Sequence, residues 1–293
     1  MAGTEGPGAT AKRFRFLLVS AFSLSERAAY QPRPRSGPKE ARLYNYAEIA
    51  HLLEDVDWEL HPGAPATHGD WPVETREEFA ITGINRLPIV REACASGRYD
   101  AVVLLGGGDP GFWEAREIGH RHGVPVTSCA HAQMHIAGML GTRFSVIDIS
   151  EVHNMRMADL VRLYGMTERC ASIRNIDHPL PRPAAAGRNT LSGESEKAAR
   201  GEVSSMLEAA VAESVAAIEE DGAEVLILGC SGAYWLQAPL QRRLAELGWD
   251  VPVLEGYRCA IEMAKTLVNL RVDVSGLAFP HDPPKRFRRR KIV

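Results

Sequence analysis

One supersecondary unit occurs twice in this chain, and the repetition restricts the available folds more than any single motif does. Asp100 to Gly106 aligns with Glu224 to Cys230 without a gap. In both places an apolar run and a small-residue turn lead into a helical pattern, then a second short strand and a second helix: VVLLGGG followed by GVPVTSCAHAQMHIAGML, and LILGCSG followed by DVPVLEGYRCAIEMAKTL. The runs are continuously apolar instead of alternating, as expected of strands buried on both faces of a parallel sheet covered by helices. A repeated unit of this kind predicts an α/β fold of two pseudo-symmetric three-layer domains with parallel sheets. Ligands of such folds sit at the carboxyl ends of the strands, which places an active site in the interdomain cleft.

The pattern predicts a first domain over 13–125 plus about 255–275, and a second over 126–254. Residues 1–12 read as a disordered lead and 276–293 as a basic tail ending in PPKRFRRRKIV. Single helices are expected from about Glu40 to Asp55 and from about Glu196 to Asp221. A third is expected with an apolar stripe at Ile84, Leu87, Val90 and Ala93, near the 3.6-residue period. Between Pro181 and Gly193 the chain is rich in Pro, Gly, Ala and Ser and reads as a surface loop.

With 293 residues and 45% hydrophobic content, the chain has enough apolar material for proper cores. Its net charge of -3 gives no global field for nucleic acid or acidic lipid, and the tail reads as solvated. No apolar run approaches the roughly 20 residues needed to span a bilayer. The five cysteines form an odd set without a CxxC, which argues for reduced thiols and against a thiolate zinc site or a disulfide framework. The expectations are a cytoplasmic enzyme acting on a small molecule, without nucleic-acid or membrane partner, assembled as a homo-oligomer.

Cys230 is the residue with most chemical promise. It follows an apolar strand, sits between Gly229 and Gly232, and precedes a helical stretch whose amides are expected to stabilise a thiolate. At the matching turn Gly106, Gly108 and Gly111 fit the dinucleotide spacing G-x-G-x-x-G, but Pro110 interrupts it and the next strand, VPVTSC, ends without an acid to hold a ribose. No Gly-Lys-Ser/Thr occurs, so a Walker-type phosphate loop is absent.

The segments YDAVVLLGGGDPG, VPVTSCAHAQMHIAGMLGTRFSVIDIS, RCASIRNI, EDGAEVLILGCSGA and VPVLEGYRCAIEMAKTLV resemble the hydantoin racemase branch of the aspartate/glutamate racemase superfamily, in the family's order from about Arg13 to Leu270. The resemblance implies two facing α/β domains, no metal or organic cofactor, and two cysteines that exchange protons with opposite faces of a carbon acid. Cys230 matches the second family cysteine, and Gly106 stands where the first is expected. Further departures are Ser20-Ala21-Phe22 after the first strand, His131 in place of an acidic residue, and Glu255 in place of an aspartate. Arylmalonate decarboxylase, a similar fold, combines glycine with one cysteine in the same way.

A racemase needs proton donors on both faces of its enolate, so a replacement for the first cysteine is expected, His131 first and Cys129 second. Cys94, Cys170 and Cys259 read as packing residues. Substrate binding is expected from the amides at Gly107-Gly108 and Ser231-Gly232, the hydroxyls of Ser20, Ser128 and Ser231, and Thr75 near the cleft mouth. Asp109 reads equally as an N-cap of the helix that follows it. The expected activity is that of an isomerase moving a proton next to a carbonyl. The alternatives are a one-sided decarboxylase of a malonate-like acid and a non-catalytic small-molecule binder.

Overall fold

In the computed structural model, which describes residues 13–183 and 189–280 together with 282, 286 and 288–290, the repeat becomes two four-stranded sheets of matching order. The first runs β2 (Val56–His61), β1 (Phe14–Val19), β3 (Ala101–Leu104), β4 (Val126–Ser128), all parallel. The second runs β6 (Cys170–Asn175), β5 (Phe144–Asp148), β7 (Val225–Leu228), β8 (Val253–Leu254), again parallel. Val19 pairs with Leu104 in one sheet and Ile147 with Leu228 in the other, so equivalent strands end level with each other. Every residue of β3 and β7 is buried. Each such apolar side chain contributes roughly 1.5–3 kcal/mol of burial, which is why these strands lack the alternation of a half-wet sheet.

Ten helices cover the sheets among the described residues: α1 (Lys39–Arg42), α2 (Tyr46–Ile49), α3 (Arg76–Ala95), α4 (Phe112–His122), α5 (Cys129–Leu140), α6 (Glu151–Leu163), α7 (Glu194–Ala199), α8 (Ser205–Glu219), α9 (Gln237–Glu246) and α10 (Gly256–Leu270). The two halves exchange helices. α10 leaves the second sheet and packs on β3 and β4 of the first, while α5 leaves the first and packs on β7 and β5 of the second. Side-chain bonds fix the exchange: Gln133 Nε2 donates to Leu228 O at 3.0 Å and to Leu254 O at 3.2 Å, and Thr127 Oγ1 donates to Ala260 O at 2.9 Å.

Several expectations need correction. The domain boundary expected at 125 falls after Ser128, because β4 pairs with β3 and closes the first sheet. The helix expected over Glu40–Asp55 is α1, α2 and a 3-10 turn (Ala50–Leu53), interrupted where Asn45 takes φ 57°. The helix expected over Glu196–Asp221 is α7 and α8, divided at Gly201 (φ 73°) and restarted by Ser204, whose hydroxyl accepts from Leu207 N. On α3 the buried stripe is Phe79, Thr82, Arg86, Val90 and Ala93, and Ile84 is exposed. Arg86 displaces the expected stripe because its guanidinium is drawn inward to three carbonyls, Val19 at 2.7 Å, Leu105 at 3.0 Å and Pro110 at 3.2 Å. The expected N-terminal lead lies outside the described residues, as do parts of the expected tail and of the loop before Gly193. No helix among the described residues is long and apolar enough to cross a membrane.

Candidate active site

The carboxyl ends of β3 and β7 meet at a shared contact. A Cβ added to Gly107 would lie 2.0 Å from Gly229 O and 2.9 Å from Cys230 Cα, so the two turns touch backbone to backbone and only glycine fits between them. Beside this contact opens a cavity of about 340 Å³ lined by both turns, by the Pro-rich loop after β1, and by Phe79, His153 and Tyr257.

Of the residues expected to form a site, the cavity brings together Ser20, Gly106, Gly107, Gly108, Cys230, Ser231 and Gly232. Cys230 ends β7 in extended conformation (φ -111°) and precedes a 3-10 turn, Ser231–Leu236. Tyr44 OH donates to Gly232 O at 3.4 Å and Asn45 Nδ2 to Ser231 O at 3.1 Å, which holds that turn against the loop wall. The expectation of a thiolate-stabilising helix start is corrected: burial raises the Cys230 pKa, and the charges of Asp148 and Glu74 push the same way. The amides of Gly232 and Ala233 oppose this only in part. Cys230 therefore rests as a thiol.

Gly106 has φ +120°, a backbone conformation that side-chain-bearing residues rarely adopt, and a Cβ there would come within 2.9 Å of Ala21 Cβ. The position where the family resemblance expects a cysteine is thus built for glycine.

Five expected residues lie off the cavity. Thr75 caps α3: its hydroxyl accepts from Glu78 N at 3.3 Å, and Glu78 Oε2 accepts from Thr75 N at 2.9 Å, a complete capping box. Ser128 donates to Asp109 Oδ1 at 2.6 Å and is fully buried. Asp109 does not cap the helix after it. Its carboxylate accepts from the amides of Ala130 at 2.9 Å and His131 at 2.8 Å, at the start of α5, and from Tyr164 OH at 2.8 Å. Cys129 is fully buried where α5 and α10 begin side by side, its Cβ 2.5 Å from a Cβ added to Gly256. Glu255 caps α10, accepting from Tyr257 N and Arg258 N at 2.8 Å each; burial raises its pKa to about 7.

His131, expected as the replacement base, is enclosed by aromatic rings. His135 lies 4.0 Å away between ring centroids, Phe112 4.9 Å and Tyr164 5.0 Å. Burial, with His135 and Arg116 adding to it, lowers its pKa to about 2.

The residues missed by sequence reasoning include a second histidine. His153, on the first turn of α6, is buried yet lines the cavity, and its Nδ1 pairs with Asp148 Oδ2 at 2.8 Å. Burial alone would lower its pKa, but the charge and hydrogen bond of Asp148, with Glu74 behind, outweigh it and raise the pKa. Asp148 is the last residue of β5 and also accepts from Ile149 N at 2.9 Å. An Asp-x4-His spacing from strand end to helix start, DISEVH, was the available signal. The Tyr30, Tyr44 and Tyr257 phenols, Ser23, Gln31 and Arg33, Arg35 and Arg42 complete the polar lining. Among the described residues no group of three or more His, Cys, Asp or Glu is placed to hold a metal ion.

Residues 72–264 match the family described as Asp/Glu/Hydantoin racemase. The chain is 33% identical over 190 residues to a hydantoin racemase of Pseudomonas sp. (strain NS671), covering 64% of this chain and 66% of that protein, just under two thirds of its length. To a hydantoin racemase of Paenarthrobacter aurescens it is 30% identical over 209 residues, 71% of this chain and 78% of the relative. Among solved structures, the allantoin racemase from Klebsiella pneumoniae is similar with a TM-score of 0.66 and 25% identity, over 93% of this chain and 95% of that one.

Proposed function

The chain belongs to the Asp/Glu/hydantoin racemase family, and from that premise we propose that it is a cofactor-independent racemase in which Cys230 and His153 exchange protons with opposite faces of a carbon next to a carbonyl. The observation that carries the reading is that these two side chains line one cavity at the strand ends, while Gly106 is committed to a glycine backbone. Racemisation needs one acid and one base at the same moment. Cys230, held as a thiol, is the acid in the resting enzyme. His153 presents Nε2, since Nδ1 is engaged by Asp148, and its neutral form is the base.

In one direction Nε2 takes the carbon-bound proton, the electron pair moves into the carbonyl as an enolate, and the Cys230 thiol returns a proton to the other face. The products are an imidazolium and a thiolate. The reverse direction starts from that pair, and exchange with solvent restores the resting one. Amides of Gly107-Gly108 and Ser231-Gly232 are the available donors to the enolate oxygen.

A second reading is favoured by the same glycine: a decarboxylase would need only the Cys230 thiol, protonating from one side the enolate left by carbon dioxide. Proton NMR and polarimetry in deuterium oxide separate the two, with Cys230→Ala as control. The substrates are enantiopure 5-benzylhydantoin, enantiopure 2-phenylpropionate and 2-methyl-2-phenylmalonate. The proposal expects deuterium uptake, and a loss of optical rotation that depends on Cys230, in one of the first two. Release of carbon dioxide from the malonate to give a single deuterated enantiomer, with no racemisation, would establish the decarboxylase instead.

A further inference from the structure

The cavity wall carries a charge pattern that proton transfer alone does not require. Three arginines line it, Arg33, Arg35 and Arg42, and no Asp or Glu does among the described residues. Arg33 reaches inward from the Pro-rich loop and donates through Nη2 to Ser20 Oγ at 3.0 Å, with no ion-pair partner among the described residues. Arg42 has a buried Nε without a hydrogen-bond partner. Tyr30 and Tyr44 lie within electrostatic reach of both Arg33 and Cys230, which puts guanidinium and thiol in one cluster. The carboxylates within electrostatic reach of Cys230 are engaged elsewhere: Asp148 by His153 and the Ile149 amide, Glu74 by Ser150 and Arg182.

A half-buried guanidinium in a cavity also lined by Phe22, Leu24, Leu60 and Val73 is costly without a counter-ion. Its planar fork matches a carboxylate with two parallel hydrogen bonds. A neutral hydantoin ring offers single carbonyl oxygens and would leave the positive charge uncompensated. The proton to be moved also sits next to the carbonyl that becomes an enolate, and when that group is a carboxylate the intermediate gains a second negative charge. A cation at the carboxylate stabilises that developing charge more than the ground state.

We propose that the substrate is a carboxylate anion, an acid carrying one hydrogen and an apolar substituent on the carbon next to its carboxyl group, bound by Arg33 with Arg42 as the second cation. This rests on the reading that the Cys230 cavity is the seat of proton transfer.

The test is calorimetric titration of the full-length Cys230→Ala protein with 2-phenylpropionate and its neutral isostere 2-phenylpropionamide. The expected result is at least tenfold tighter binding of the anion. The preference should shrink to about threefold or less in Arg33→Gln and disappear in Arg33→Gln/Arg42→Gln, with Arg33→Lys retaining part of it. Thermal melts verify that each variant is folded, and the anion-to-amide ratio in the parent protein needs no arginine variant. Equal affinity, failure of the anion to bind at millimolar concentration, or a preference unchanged in the double variant overturns the proposal. Binding is read apart from turnover. An anion preference in a protein whose wild type exchanges no proton leaves the substrate class standing and sinks the racemase reading; exchange on a neutral ring bound as tightly as the anion does the reverse.

Discussion

Replacing Gly106 by alanine tests the claim that this turn is built for glycine, and its cost follows from two separate strains. The first is conformational: φ of +120° is a region in which a residue with a side chain costs about 1–3 kcal/mol. The second is steric. The new Cβ would stand 2.9 Å from Ala21 Cβ, inside the roughly 3.5–4.0 Å of an ordinary carbon contact, and neither atom sits on a rotatable arm. Overpacking of this kind costs about 1–3 kcal/mol. The sum of about 2–6 kcal/mol is a large share of the roughly 5–15 kcal/mol that holds a domain folded. At about 2–4 °C per kcal/mol, the melting temperature should fall by roughly 4–24 °C. Ala21→Gly in the same chain should recover the steric part and leave the conformational part, so a double-mutant cycle by thermal melts separates them. Gly106→Cys should cost as much, and its thiol should not restore a two-cysteine site. A loss below about 0.5 kcal/mol for Gly106→Ala, or no recovery with Ala21→Gly, would refute the reasoning.

The remaining predictions follow from buried charges. Arg86→Leu strands the carbonyls of Val19, Leu105 and Pro110 at the base of the glycine turn; a loss of about 3–5 kcal/mol is expected in denaturant melts, and a neutral result would mean that the guanidinium is dispensable. Glu255, with a pKa raised to about 7, binds more protons in the folded state than in the unfolded one between pH 4.5 and 7. Its contribution is complete below pH 4.5 and is lost as pH rises through 7, so Glu255→Gln should flatten the fall in stability between pH 5 and pH 8 by a few kcal/mol. The His153 pKa is raised by Asp148, so activity should climb with pH above the ordinary histidine value, and Asp148→Asn should move that limb to lower pH. Arg182→Met should loosen the loop before α3, because Arg182 bonds both Glu74 and Glu78 across the two halves; protease cutting between Trp71 and Glu78 would report it.

The repeat was legible in the sequence because strands buried on both faces leave an unbroken apolar run, and each run ends at the small residues where a ligand can approach backbone. That logic reached Ser20, Cys230, Ser231 and the four glycines of the cavity wall, Gly106, Gly107, Gly108 and Gly232. It failed for Glu255 and Thr75 because a polar residue at a helix start has two uses, capping and binding, and only packing decides which applies; it failed for Ser128 because its hydroxyl is spent on the buried Asp109 carboxylate. His131 was read as a base from its position after a strand, but the ring turns into an aromatic cluster that no local pattern encodes. His153 escaped because the first turn of α6 lies before the point at which its apolar period begins. Arg33 and Arg42 escaped for another reason: they come from a Pro-rich loop and a four-residue helix whose path over the cavity depends on tertiary contacts alone.

The measurement that tests the account most directly is deuterium uptake from solvent by each enantiomer separately, in wild type, Cys230→Ala and His153→Asn, followed by proton NMR on 2-phenylpropionate. Two groups serving opposite faces predict that wild type labels and racemises both enantiomers. Cys230→Ala should still label the single enantiomer whose proton faces His153, His153→Asn should label neither because Cys230 rests as a thiol, and racemisation should be abolished in both. Unchanged racemisation in His153→Asn would contradict the account, as would loss of all exchange in both variants, which would make His153 an activator of Cys230 and the chemistry one-sided.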